Sequence, residues 1–320
     1  RAMPKQPPIW RMPPFVALFA DPFIEGTELE SGHVAYSVMA LSYSIERLSA
    51  EGESRATRLP LFDDRAFEQL LKVKDALDQC LQIAAAQAEK PEDFFKLVQE
   101  LQQKITDLPH GEMLMVPGGW DGATTRGTVI HLIEKTGPGV FGFVTCNAGE
   151  GLEYHPSAPD ADLTTGKVKR QTCVRVSEIP LAKMTDSAFW MTLLAQRMKQ
   201  PPGEYQRSEV LYDALLPWLA GDHLLPAMLA GEDPVATFRT GAKSGTSHYR
   251  SVWEAVRYLC LWYGLTNEQM KQFSFQMRHD MLVKAQDDLA IFATPETPFT
   301  GYSTRPVRAP LTALRTAENL

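Results

Sequence analysis

A chain of 320 residues, 44% hydrophobic and 22% charged, is long enough to bury a sizeable core as one large domain or two. Its 32 Lys and Arg against 39 Asp and Glu give a net charge of −7, which argues against a nucleic-acid partner, and no basic stripe offsets it. No apolar run reaches the length of a membrane span, and the four cysteines (Cys80, Cys146, Cys173, Cys260) lack paired spacing, so the expectation is a cytoplasmic protein with buried thiols.

Residues 1–26 carry Pro4, Pro7, Pro8, Pro13 and Pro14 in place of a signal-peptide layout, and read as an extended segment. From Ser31 to about Leu48, Val34, Val38, Leu41, Ile45 and Leu48 recur at helical spacing. Asp63 or Asp64 is placed to cap a second helix with Phe67, Leu70, Leu71, Leu77 and Leu81 on its apolar face. Pro91 opens a third, carrying Phe94, Phe95, Val98, Leu101 and Ile105.

The pattern changes at Gly111. Residues 112–116 read as a strand and Pro117-Gly118-Gly119 as a turn. Residues 128–133 and 140–145 read as two strands joined at Thr136-Gly137-Pro138-Gly139, a β-hairpin. A polar loop covers 157–170, and residues 172–176 suggest a further strand. Asp186 is placed to cap a helix carrying Phe189, Trp190, Leu193 and Leu194, and Leu-rich helical segments follow near 207–219 and 222–230. Ser247 to Tyr263 is strongly helical, with Val252, Val256, Leu259 and Cys260 on one face. Thr266-Asn267-Glu268-Gln269 is a capping box for a last helix reaching about Phe292. Residues 293–320 lack periodicity and read as an unstructured tail; Glu318-Asn319-Leu320 match the start of a common engineered protease site and are set aside. The expected class is α+β, divided as 1–26, a helical region 27–108, an α+β domain 109–292 and the tail.

Three residues form a candidate chemical constellation. Ser247 stands at a helix entry after Gly245 and Thr246, where backbone N–H groups and the positive dipole end favour an anionic nucleophile. His131 lies mid-strand in the hairpin. With the turn near Pro138 it falls opposite Thr145, which makes Asn147 a near neighbour able to orient an imidazole.

This set resembles the papain-like cysteine peptidases. There the His occupies a strand, the Asn follows the returning strand before a Gly-containing loop, and the nucleophile opens a helix. Asn147-Ala148-Gly149 and Gly245-Thr246-Ser247 are similar to those two stretches. The order here is His, Asn, then nucleophile, as in circularly permuted relatives, and Ser247 stands where the family has Cys. An inactivating replacement, a natural pseudoenzyme and direct use of Ser are all compatible with it. The oxyanion Gln that many members carry before the nucleophile has no counterpart; Ala242 and Lys243 occupy that region. The resemblance implies hydrolysis of amide or isopeptide bonds in a protein or peptide, a ubiquitin-type conjugate among them. Ser247 would be the nucleophile, His131 the acid and base and Asn147 the orienting group, with Trp120 and Gly245 along the substrate groove. It implies no cofactor and no metal.

Each residue also has a structural reading: His131 a satisfied strand histidine, Ser247 an N-cap, Asn147 a turn residue, Trp120 a core residue. A Cys146–His155 dyad is weaker, because Cys146 and Asn147 point to opposite faces of one strand. Cys146, His155 and Cys173 lack zinc-ligand spacing. Gly241 to Ser244 holds only part of a phosphate-loop pattern. The rival to the hydrolase is a non-catalytic protein-interaction scaffold on the same fold.

Overall fold

The computed structural model describes residues 30–50, 59–85, 91–121, 126–158, 168–197, 207–221, 235, 237–241 and 247–292. The Pro-rich segment 1–26, the tail 293–320, the helix expected over 222–230 and Gly245 lie outside them. Among the described residues the chain is α+β, as expected, with helices on both faces of a small antiparallel sheet.

Three helices come first: α1 (Glu30–Ala50), α2 (Asp64–Ala85) and α3 (Pro91–Asp107). Val34, Val38, Leu41, Ile45 and Leu48 form the buried stripe of α1, as their spacing requires. Asp63 caps α2 by accepting the Ala66 N–H at 2.8 Å.

The sheet then forms from β1 (Met113–Asp121), β2 (Arg126–Gly137), β3 (Val140–Asn147) and β5 (Cys173–Pro180), in that order and antiparallel throughout. A short β4 (Arg170–Gln171) pairs with β6 (Phe238–Arg239) beside it. The hairpin register matches the expectation, with His131 opposite Thr145. One reading is corrected: Pro117-Gly118-Gly119 is not a turn, and β1 runs straight through it, pairing with Ile130, Val129 and Thr128. β1 is an edge strand, where a residue without an N–H is tolerated. The glycines answer to close approach, since a Cβ at Gly118 would lie 2.2 Å from His131 Nε2, and one at Gly119 would lie 2.1 Å from the Gly127 carbonyl.

Strand alternation sorts side chains onto two faces. One face presents Met113, Met115, Ile130, Leu132, Val144, Cys146 and Cys173 to a core shared with α1, α2 and the helix α7 (Ser247–Trp262). The other presents Leu114, Val116, Val129, Ile133, Phe141 and Phe143 to α3 and to α5 (Ser187–Ala195), which follows the single-turn α4 (Leu181–Met184). Asp186 caps α5 as expected, accepting the Phe189 N–H at 2.8 Å. The Leu-rich stretch after it is a π-helical turn, Val210–Leu215, running into α6 (Leu216–Ala220). The last helix, α8 (Asn267–Phe292), starts at the expected capping box: Thr266 Oγ1 accepts the Gln269 N–H, and Gln269 Oε1 accepts the Thr266 N–H.

Candidate functional site

Ser247 is the first residue of α7. One turn on, the Ser251 hydroxyl donates to the Thr128 carbonyl at 2.8 Å and accepts the Ala148 N–H at 3.2 Å. These two bonds tie the helix entry to the start of β2 and the end of β3. Thr128 has the same strand parity as Ile130 and Leu132, which pack on the α7 side. The β2 position facing the helix entry is therefore a threonine.

His131 has the opposite parity, and its side chain lies on the far face of the sheet. The ring stacks on Phe143 at 4.9 Å, and Nδ1 hydrogen-bonds Thr145 Oγ1 at 3.2 Å. Nε2 lies over Gly118 and has no hydrogen-bond partner among the described residues. The residue is fully buried, and that desolvation pushes its pKa down to about 3. A neutral, sealed imidazole with the sheet between it and α7 is not placed to serve a nucleophile at the helix entry. The expected Ser247–His131 pairing is thus not what the fold builds, because a one-residue change of parity moves a side chain through the sheet.

Asn147 shares the His131 face but does not orient the ring. Its Oδ1 accepts the Gly149 N–H at 2.8 Å, a local turn of the kind Asn favours, and its Nδ2 donates to the Glu150 carbonyl at 2.7 Å and to Tyr212 Oη at 3.0 Å. Its side-chain bonds hold the loop that leaves β3 and tie it to Tyr212. Tyr212 Oη passes the chain on to His155 Nε2 at 2.8 Å, and His155 Nδ1 meets the Gln171 carbonyl at 2.7 Å. One assignment satisfies every group: His155 carries its proton on Nδ1 and donates it to Gln171, while Tyr212 donates to Nε2 and accepts from Asn147. Burial holds His155 neutral, with its pKa lowered to about 4.

This network yields a prediction. Tyr212→Phe removes the hydroxyl that bonds Asn147 and leaves the buried His155 Nε2 without its donor. The expected loss is about 1–3 kcal/mol of stability, read by thermal unfolding. An unchanged melting temperature would mean that the Asn147–Tyr212–His155 chain contributes nothing.

Trp120 is a core residue and does not wall a groove: it is 3% exposed, meets Tyr212 edge-on at 6.4 Å, and lies where a side chain on Gly127 or Gly151 would collide with it. The Cys146–His155 dyad is not formed, since Cys146 packs on the α7 side and His155 is bonded to Tyr212 on the other. Sequence reasoning passed over Tyr212, Thr128, Ser251 and Glu254. Glu254 is a buried carboxylate that accepts from Thr172 Oγ1 at 2.9 Å and pairs with Arg239 at 3.1 Å. Ser251 and Glu254 stood out only as polar residues beside the apolar stripe of α7, a signal that marks burial but names no partner. No helix among the described residues is long and apolar enough to cross a membrane. Neither a scan against protein-family models nor a search of curated proteins returned a match.

Proposed function

We propose that this chain is a non-catalytic protein-interaction scaffold with a papain-like arrangement, a helix entry set against the end of an antiparallel hairpin, but without a working acid–base residue there. The observation that carries the reading is the parity of β2. Thr128 occupies the helix side, while His131 is sealed under the opposite face with its pKa lowered to about 3. A general base must reach the proton it abstracts and hold a pKa near the working pH. Serine at position 247 agrees with the same reading. A protein partner fits the helical surface: Leu61 is 54% exposed and Phe275 73% exposed, and Gln272 of α8, which bonds the Leu61 N–H, is three residues from Phe275. A cytoplasmic location belongs to the proposal, supported by four cysteines in thiol form.

The rival reading is thiol-dependent amide hydrolysis at position 247 with some other base. It has one specific observation in its favour, the anchoring of the helix entry to Thr128 and Ala148 through Ser251. Alkylation of Ser247→Cys across a pH series, with mass-spectrometric site readout, separates the two. The comparator is a cysteine at Glu268, an exposed first-turn position of α8. The scaffold reading expects both thiols to titrate alike, apart from the modest effect of a helix terminus, and expects added Thr128→His to accelerate labelling at 247. Labelling of Ser247→Cys alone that is already tenfold faster than the comparator near pH 6 would favour the hydrolase.

A further inference from the structure

The buried side of β3 and β5 holds a pair of thiols that neither reading above uses. Cys146 and Cys173 are direct cross-strand partners, 27 residues apart in sequence, with Sγ atoms 3.2 Å apart. The neighbouring pair, Asn147 and Thr172, is joined by the Asn147 N–H donating to the Thr172 carbonyl at 2.8 Å. Antiparallel pairs alternate, so Cys146 and Cys173 occupy the closer, non-hydrogen-bonded type, whose Cα separation of about 4.5 Å lies within the span a disulfide bridges. Cys80 and Cys260 are buried as well, but neither has a thiol among its described hydrogen-bond partners. The surroundings of Cys173 are polar on one side: Thr172 Oγ1 lies 3.9 Å from its sulfur and the Glu254 carbonyl 3.8 Å. β5 is also an edge strand, so Cys173 is the member of the pair nearer the rim of the sheet.

We infer that Cys146 and Cys173 form a modification site, a cross-strand dithiol that closes to a disulfide on reaction with a hydroperoxide. The Cys173 thiolate attacks one peroxide oxygen, forming an S–O bond and breaking the O–O bond; the leaving hydroxide takes a proton and departs as water. Cys146 then attacks the sulfenic sulfur, forming the S–S bond and expelling the hydroxyl as a second water. The two thiols lose two electrons and two protons, and hydrogen peroxide gains them. The closed form would clamp β3 to β5 at the end of the sheet where the Asn147 loop departs and the entry of α7 is tied down. The inference does not depend on whether position 247 is catalytic.

The test uses the full chain with hydrogen peroxide, followed by denaturation, alkylation of remaining thiols and non-reducing peptide mapping. The expected result is a mass loss of two hydrogens, a linked peptide pair joining Cys146 to Cys173, alkylation retained at Cys80 and Cys260, and reversal by dithiothreitol. Cys146→Ser and Cys173→Ser should each abolish the linked product. Should either variant fail to fold, the wild-type peptide map decides alone. Recovery of Cys146 and Cys173 as separately alkylated peptides overturns the inference. So does addition of oxygen to either sulfur without a link, or a link that involves Cys80 or Cys260.

Discussion

Between pH 6.5 and pH 5 the protein should lose about 3 kcal/mol of unfolding free energy. His131 and His155 are both buried and neutral, with pKa values lowered by desolvation to about 3 and about 4. In the unfolded chain each returns to about 6.5. The folded state therefore binds fewer protons than the unfolded state across this window, and stability falls as pH falls. The loss begins as pH drops through the unfolded value and ends only when it reaches the folded values. Each group contributes about 0.7 kcal/mol per pH unit at pH 6.5, where the unfolded imidazole is half protonated, rising to about 1.4 near pH 5, hence about 1.6 kcal/mol over the interval for each of the two. Urea titrations at the two pH values measure it directly. Carboxylates elsewhere add their own pH dependence, so the sharper readout is a difference: His131→Leu should reduce the stability lost between pH 6 and pH 5 by about 1.2 kcal/mol. Equal stability at both pH values, or an unchanged slope in the variant, would show that the rings are not held neutral.

Gly118→Ala should cost about 3 kcal/mol and lower the melting temperature by about 5 °C. The added Cβ would stand 2.2 Å from His131 Nε2, 2.5 Å from its Cδ2 and 3.1 Å from Val129 Cγ2. Its only relief is movement of the His131 ring, which is stacked on Phe143 and has no exposed surface to retreat into. The strain should be specific to that pair. In the double variant Gly118→Ala with His131→Ala, the two penalties should fall short of their sum by about 1 kcal/mol or more. A Gly118→Ala protein as stable as the parent would mean that the ring does not lie over Gly118.

The hairpin explains how far local reasoning carries and where it stops. Turn chemistry at Gly139 and two apolar runs sufficed to set His131 opposite Thr145, because register follows from loop length. The caps at Asp63, Asp186 and Thr266 were legible for a similar reason: each involves residues three positions apart. Which face of β2 meets α7 was not legible. Val129 and Ile133 on one parity, and Ile130 and Leu132 on the other, are equally apolar, since both faces of the sheet are covered. The roles expected of His131 and Asn147 hung on that undetermined parity. Pro117-Gly118-Gly119 misled in the other direction. Its residues are those of a turn, but here proline is tolerated on an edge strand and glycine is required beneath an imidazole. Tyr212 and Cys173 could not be found locally at all, because their partners are set by the docking of the π-helical turn and by the register of β5.

The proposal that no general base stands at the entry of α7 is put to the test by turnover of a ubiquitin-type fluorogenic amide. The proteins to compare are Ser247→Cys and Ser247→Cys with His131→Ala, with circular dichroism recording the folded fraction of each. The expected result is no turnover above the uncatalysed control in either protein. Turnover by Ser247→Cys that falls by about 100- to 10,000-fold on His131→Ala, at equal folded fraction, would contradict it and return His131 to the role of general base.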